Sequence, residues 1–191
     1  HPTEIPDSDT KTAIVNLSTR MSEIASAATD NEKKALFETY FDVDNLIDYE
    51  LTQLICYDRD SIIKNVQWIT YDGVKWYACN YDKDLSFGNY VSGQFTYPCQ
   101  TGGGWIFVNG TPFEILVSLY SNEIKQRWDY LTTNKIISAE IVKGLFSKWI
   151  ASIGADNFKK EYERWPESPC CRSRGVNSNW EIVNVYLYYN P

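Results

Sequence analysis

Along the first third of the chain, apolar residues recur at spacings of three and four, the period of a helix with one buried face. Residues His1 to Asp9 precede that pattern and, with two prolines and three acids, are expected to form an extended arm. Ile14, Leu17, Met21 and Ile24 predict a first helix over Thr10 to Ala27. Thr29-Asp30-Asn31-Glu32 has the form of a capping box, in which the threonine hydroxyl accepts from the N–H of Glu32 and the glutamate reaches back. The helix it opens is expected to turn Leu36, Tyr40 and Phe41 inward. Asp42 or Asp44 then restarts the chain. Ile47, Leu51, Leu54 and Ile55, at i, i+4, i+7 and i+8, predict a third helix with these four in its buried stripe. The stripe ends at Cys56, before the polar run Tyr57-Asp58-Arg59-Asp60.

The period then shortens to two. Val66 to Thr70 and Lys75 to Asn80 are rich in Val, Ile, Trp and Tyr, and Asp72-Gly73 between them predicts a β-hairpin. The second run leads into Asp82-Lys83-Asp84 and closes at Gly88. Asn89 to Asn109, with Pro98 and the glycines 102 to 104, predicts a loop or lid. No Lys-Ser/Thr follows those glycines, so a P-loop is set aside. Thr111-Pro112-Phe113-Glu114 is a second capping box, with Pro in the first helical turn. Helices are predicted beyond it over Pro112 to Tyr120, Asn122 to Leu131, Ala139 to Ser152 and Ala155 to Trp165. Ile141, Leu145 and Trp149 are expected to mark the buried face of the third of these, and Trp68, Trp76, Trp105 and Trp149 to be core. Glu167 to Ser178 reads as irregular and Trp180 to Tyr189 as a helix.

Composition narrows the picture. A chain of 191 residues, 43% hydrophobic and with 7 Trp, 14 Tyr and 8 Phe, can bury one real core. The formal charge of -7 argues against a nucleic-acid partner. No apolar run is long enough to span a membrane, and no signal-peptide pattern opens the chain. The five cysteines, Cys56, Cys79, Cys99, Cys170 and Cys171, are odd in number and lack C-x-x-C spacing, so free thiols packed as small apolar groups are expected. The single histidine is His1, which sets aside Ser-His-Asp and Cys-His nucleophiles and zinc sites with paired histidines. Chemistry must come from carboxylates, amides, lysines or a hard metal ion.

Phosphoryl transfer suits those groups. It asks for an acid that orients the attacking hydroxyl and for oxygen ligands that hold Mg2+ against the phosphates. In protein kinases the catalytic Asp and a metal-binding Asn are five residues apart, and a later Asp at a strand end completes the metal site. Asp60 and Asn65 have that separation, the hairpin follows, and Asp82 or Asp84 comes next, before Phe87-Gly88. The blander readings are that Asp58 and Asp60 terminate a helix and that Asp82 and Asp84 are turn acids bonded to backbone amides. An EF-hand calcium loop fits poorly, because its twelfth position lacks Glu.

The segments YFDVDNLIDY from Tyr40, DRDSIIKN from Asp58 and KWYACNYDKDLSFG from Lys75 resemble the CotH kinase family. The resemblance runs from Ala35 onward and implies a protein-kinase C-lobe-like fold, α+β and mainly helical, whose β-hairpin carries the metal-site Asp. It implies an arm and helix at 1–28 and the C-lobe-like domain at 29–191. By position, Asp60 resembles the catalytic acid, Asn65 a metal ligand, Asp82 the principal metal-binding Asp and Asp84 a second ligand. Lys64 is near enough to touch a phosphate. The implied cofactors are Mg2+ and ATP. The family includes spore-coat kinases, fungal surface invasins and phage structural proteins. This implies protein partners or a homo-oligomer, in a virion or an extracellular surface assembly.

A kinase also needs a glycine-rich loop, a strand lysine and its Glu partner. No glycine precedes Gly73, and no strand-like run upstream of Ala35 could build that lobe. The expectation is therefore a C-lobe half, active when an N-lobe is supplied from outside this chain. The competing expectation is a non-catalytic structural or interaction module. A third is an adhesion domain stabilised by a bound metal.

Overall fold

The structure, a computed structural model, describes residues 8–56, 58, 61, 65–83, 86–87 and 111–164, with residue 162 described by its backbone alone. The elements run α1 (Ser8–Ser26), α2 (Asp30–Tyr40), α3 (Val43–Cys56), β1 (Val66–Thr70), β2 (Trp76–Asn80), α4 (Pro112–Thr133), α5 (Ala139–Ile153) and α6 (Ala155–Arg164). The fold is mainly helical, with one two-stranded antiparallel sheet among the described residues. By packing, these residues fall into two units. One holds those up to Lys83 with those from Thr111 to Lys125, and the other holds Ser86, Phe87 and those from Gln126 onward.

In the first unit, local signals set the helix starts. The capping box forms as expected: the Glu32 N–H donates to Thr29 Oγ1 at 3.2 Å, and the Thr29 N–H donates to Glu32 Oε2 at 3.0 Å. α1 begins at Ser8, so the expected arm to Asp9 gives way to helix two residues early. Asp42, rather than Asp44, caps α3: its Oδ1 accepts the Asn45 N–H at 2.9 Å. Between the two helices Phe41 is extended and bridges Trp76 of β2, and the Asp42 N–H donates to the Trp76 carbonyl at 3.0 Å.

The hairpin pairs Val66 with Asn80 and Thr70 with Trp76. Its connection is five residues, Tyr71 to Lys75, rather than the tight two-residue turn that Asp72-Gly73 suggests. Asp72 Oδ1 accepts the N–H groups of Val74 and Lys75, each at 2.8 Å, and these hold its carboxyl below the usual range. Gly73 takes φ +74, a left-handed conformation that costs a side chain energy. Asn45 then docks α3 on the sheet. Its Oδ1 accepts the Ala78 N–H at 2.7 Å and its Nδ2 donates to the Ala78 carbonyl at 3.3 Å, so the side chain takes the place of a third strand.

The core of this unit is an aromatic chain. Phe37 meets Phe41 at 4.8 Å and Tyr120 at 5.8 Å, Phe41 meets Trp68 at 5.7 Å, Trp68 meets Phe113 at 5.7 Å, and Phe113 stacks on Tyr49 at 5.2 Å. Ile24, Leu46 and Leu116 close it. Two sequence expectations change here. Phe37 is the fully buried residue of α2, while Leu36 and Tyr40 are only half-buried. In α3, Leu54 is exposed and Ile55 half-buried, because the helix turns Leu46, Tyr49, Glu50 and Gln53 inward with Ile47 and Leu51. The two helices expected from Pro112 are both present, running on as α4 but separated by a kink at Tyr120, whose φ -122 and ψ 27 are not helical and whose hydroxyl donates to Glu38 Oε1 at 3.1 Å.

In the second unit, Lys135 (φ 52) ends the turn after α4, and the N–H groups of Ile136 and Ile137 return to the Leu131 carbonyl. Ser138 caps α5 through the Ile141 N–H, and Gly154 (φ 79) separates α5 from α6. Phe146 meets Phe87 at 4.9 Å, and Trp149 meets Phe158 at 6.4 Å. The expectation that Ile141, Leu145 and Trp149 are buried fails: they are 39%, 62% and 58% exposed. A helical apolar stripe says which residues share a face, and the contacts among the described residues of this unit leave that face open. Trp76 is core as expected, Trp68 is half-buried, and Trp105 lies outside the described residues. The loop expected at 89–109 and the helix expected at 180–189 also lie outside them. No described helix is long and apolar enough to cross a membrane.

Candidate functional site

α3 and the hairpin converge where α3 ends. Asp58 follows the helix, its N–H donating to the Gln53 carbonyl at 3.1 Å, and its side chain is fully buried. Its carboxylate accepts both the N–H of Ser61, at 3.2 Å, and the Ser61 hydroxyl, at 2.5 Å. The two bonds tie Ser61 to the carboxylate three residues before it, the spacing of an N-cap bond. The Tyr49 hydroxyl donates to the Ser61 carbonyl at 2.7 Å, and burial pushes the Tyr49 phenol well above its ordinary range.

The segment after β2 meets this turn. Lys83 pairs with Asp58 Oδ2 at 3.0 Å, donates to Ser61 Oγ at 2.8 Å and to Gln53 Oε1, and stands 5.5 Å from the centre of the Tyr49 ring. Gln53 also donates to Asn80 Oδ1 at 2.9 Å, tying the end of β2 to α3. One residue before Lys83, Asp82 is exposed and takes φ +48, a conformation that Asp tolerates better than most residues. Asn65 is buried, and its Nδ2 donates to the Asp82 carbonyl at 3.3 Å.

Of the five sequence-predicted residues, the structure brings together Asn65 and Asp82. Asp60, Lys64 and Asp84 lie outside the described residues. Sequence reasoning missed Lys83 as a member of the cluster and took Asp58 only as a helix terminator. Lys83 between two acids looks like a solvated charge, and a buried acid 25 positions away leaves no mark in local pattern. The spacing of Asp58 and Ser61, three residues as between an N-cap acid and the N–H it accepts, was the one signal available.

A family model described as CotH kinase protein matches residues 3–181. The chain belongs to the CotH kinase family. No curated protein and no solved structure matches it. For a CotH chain the question is whether these residues suit Mg2+, which takes oxygen ligands. The Asp82 carboxylate could supply one. The Asn65 amide, with its nitrogen turned to the Asp82 carbonyl, keeps its oxygen as the half that could ligate. Among the described residues no three His, Cys, Asp or Glu groups converge, so a site here would draw on the Asn65 amide as well as on the Asp82 carboxylate. The donor chemistry fits Mg2+. Cys56 and Cys79 are free thiols, Cys56 half-buried with its thiol pushed up by burial and Cys79 exposed.

Proposed function

We propose that this CotH domain carries the C-lobe-like half of a Mg2+- and ATP-dependent phosphotransferase site, completed by a nucleotide-gripping lobe from outside residues 1–191. Asn65 and Asp82 are the metal ligands, Asp84 is a second carboxylate ligand, and Asp60 is the acid that orients the attacking hydroxyl. Lys64 is a contact to a phosphate. Bound Mg2+ would neutralise charge on the transferring phosphoryl group. The chain's part is positional: Asn65 and Asp82 would each supply an oxygen to the ion, and Asp60 accepts the proton of the hydroxyl it aligns.

The observation that carries this reading is the hydrogen bond from the Asn65 amide to the Asp82 carbonyl, which joins two residues 17 apart in the sequence across the hairpin. Isothermal titration of the protein with Mg-ATP, in a form that includes the completing lobe, is expected to show binding that Asp82→Ala abolishes. Absence of binding in that form would sink the proposal.

A second reading has its own support. The open stripe Ile141, Leu145 and Trp149 on α5 suits a domain used as a structural module in a virion, tail or surface assembly, with protein partners or further copies of itself. In that case an Asp60→Ala, Asp82→Ala variant assembles unchanged. Loss of assembly with the fold intact would count against it.

A further inference from the structure

Lys83 sits inside the described cluster, yet the roles proposed above leave it unused. A lysine ammonium has three N–H donors. Here Asp58, Ser61 and Gln53 take one each, and the Tyr49 ring stands alongside. With its donors committed inward, this cation is not a phosphate contact. Its partners belong to α3 and to the turn after it, while its own backbone continues directly from Asp82. The Asp82 carbonyl, in the peptide bond to Lys83, is itself held by the Asn65 amide. The residue with φ +48 is thus gripped twice, once through its own carbonyl and once through its neighbour's side chain.

We propose that Lys83 is a positioning residue that ties the Asp82 segment to Asp58 and Ser61, so that the Mg2+ affinity of the half-site depends on a cation that never touches the metal. This rests on the reading of Asn65 and Asp82 as metal ligands. Groups that orient a ligand without binding the metal are worth about 10- to 100-fold in metal affinity. Removing the cation alone also strands a buried carboxylate, so a simple loss of stability could imitate the effect. Replacing both partners separates the two.

The experiment is a Mn2+ titration followed by electron paramagnetic resonance on the full chain, with thermal unfolding run in parallel. Lys83→Met is expected to lower both the Tm and the Mn2+ affinity. Asp58→Asn with Lys83→Met is expected to recover most of the Tm while Mn2+ affinity stays about tenfold weaker than in the unaltered protein. Ser61→Ala removes one anchor of Lys83 and provides a second arm should the double variant fold poorly; it is expected to weaken Mn2+ binding about threefold, a fraction of that effect. Unchanged Mn2+ affinity in the folded variants overturns the role of Lys83 and leaves the metal ligands standing. No Mn2+ binding by the unaltered protein overturns the metal reading itself, and this inference with it.

Discussion

At position 50 a carboxylate side chain is 1% exposed, and among the described residues neither of its oxygens has a hydrogen-bond partner. Burial alone pushes the Glu50 carboxyl up to about 7 from its ordinary 4.5. The folded value lies above the unfolded one, so the stability this group contributes is fully present below about pH 4.5 and is lost as pH rises through about 7. A shift of that size is worth about 3 kcal/mol at most. Urea unfolding of the unaltered protein is therefore expected to show a fall in stability between about pH 4.5 and about pH 7, and Glu50→Gln to remove most of that slope. Equal slopes in the two proteins would place the pH dependence elsewhere. The slope is the safer reading, because the buried Gln amide carries a desolvation cost of its own at every pH.

At the scale of elements, the hairpin is the piece that delivers Asp82, and Asn45 holds it. Asn45→Ala removes both bonds to Ala78 and leaves strand groups unpaired, at a cost of about 1–3 kcal/mol. Hydrogen exchange is expected to accelerate at the Ala78 amide ahead of the rest of β2, and uniform protection across the strand would contradict the role of Asn45. Gly73 has open space where a Cβ would go, so Gly73→Ala pays only for its left-handed φ, about 1 kcal/mol. A larger loss, read from denaturant midpoints, would mean the turn is more constrained than its surroundings require. These elements were also the most legible in the sequence. The Thr29 to Glu32 box, the Asp42 cap and the strands of the hairpin rest on interactions within a few residues, which local pattern records. Which face of a helix is buried depends on distant partners. The α5 stripe therefore misled, and α3 concealed Glu50 and Gln53 on a face that periodicity assigned to Leu54 and Ile55.

At the scale of the molecule, the chain is a mainly helical CotH family domain whose candidate site residues are set by one helix and one hairpin. The candidate site was half legible. Asn65 and Asp82 follow from spacing and resemblance, because the kinase-type order of acid, amide and acid is written linearly. The buried support, Asp58 with Lys83, pairs residues far apart in sequence whose types are ordinary on any surface. The most direct test of the central claim is nuclear magnetic resonance of the metal-free protein titrated with Mn2+. The account predicts early paramagnetic broadening of the Asn65 side-chain amide and the Asp82 backbone amide, lost in Asp82→Ala. Broadening confined to other acidic residues, with these two signals sharp, would contradict it.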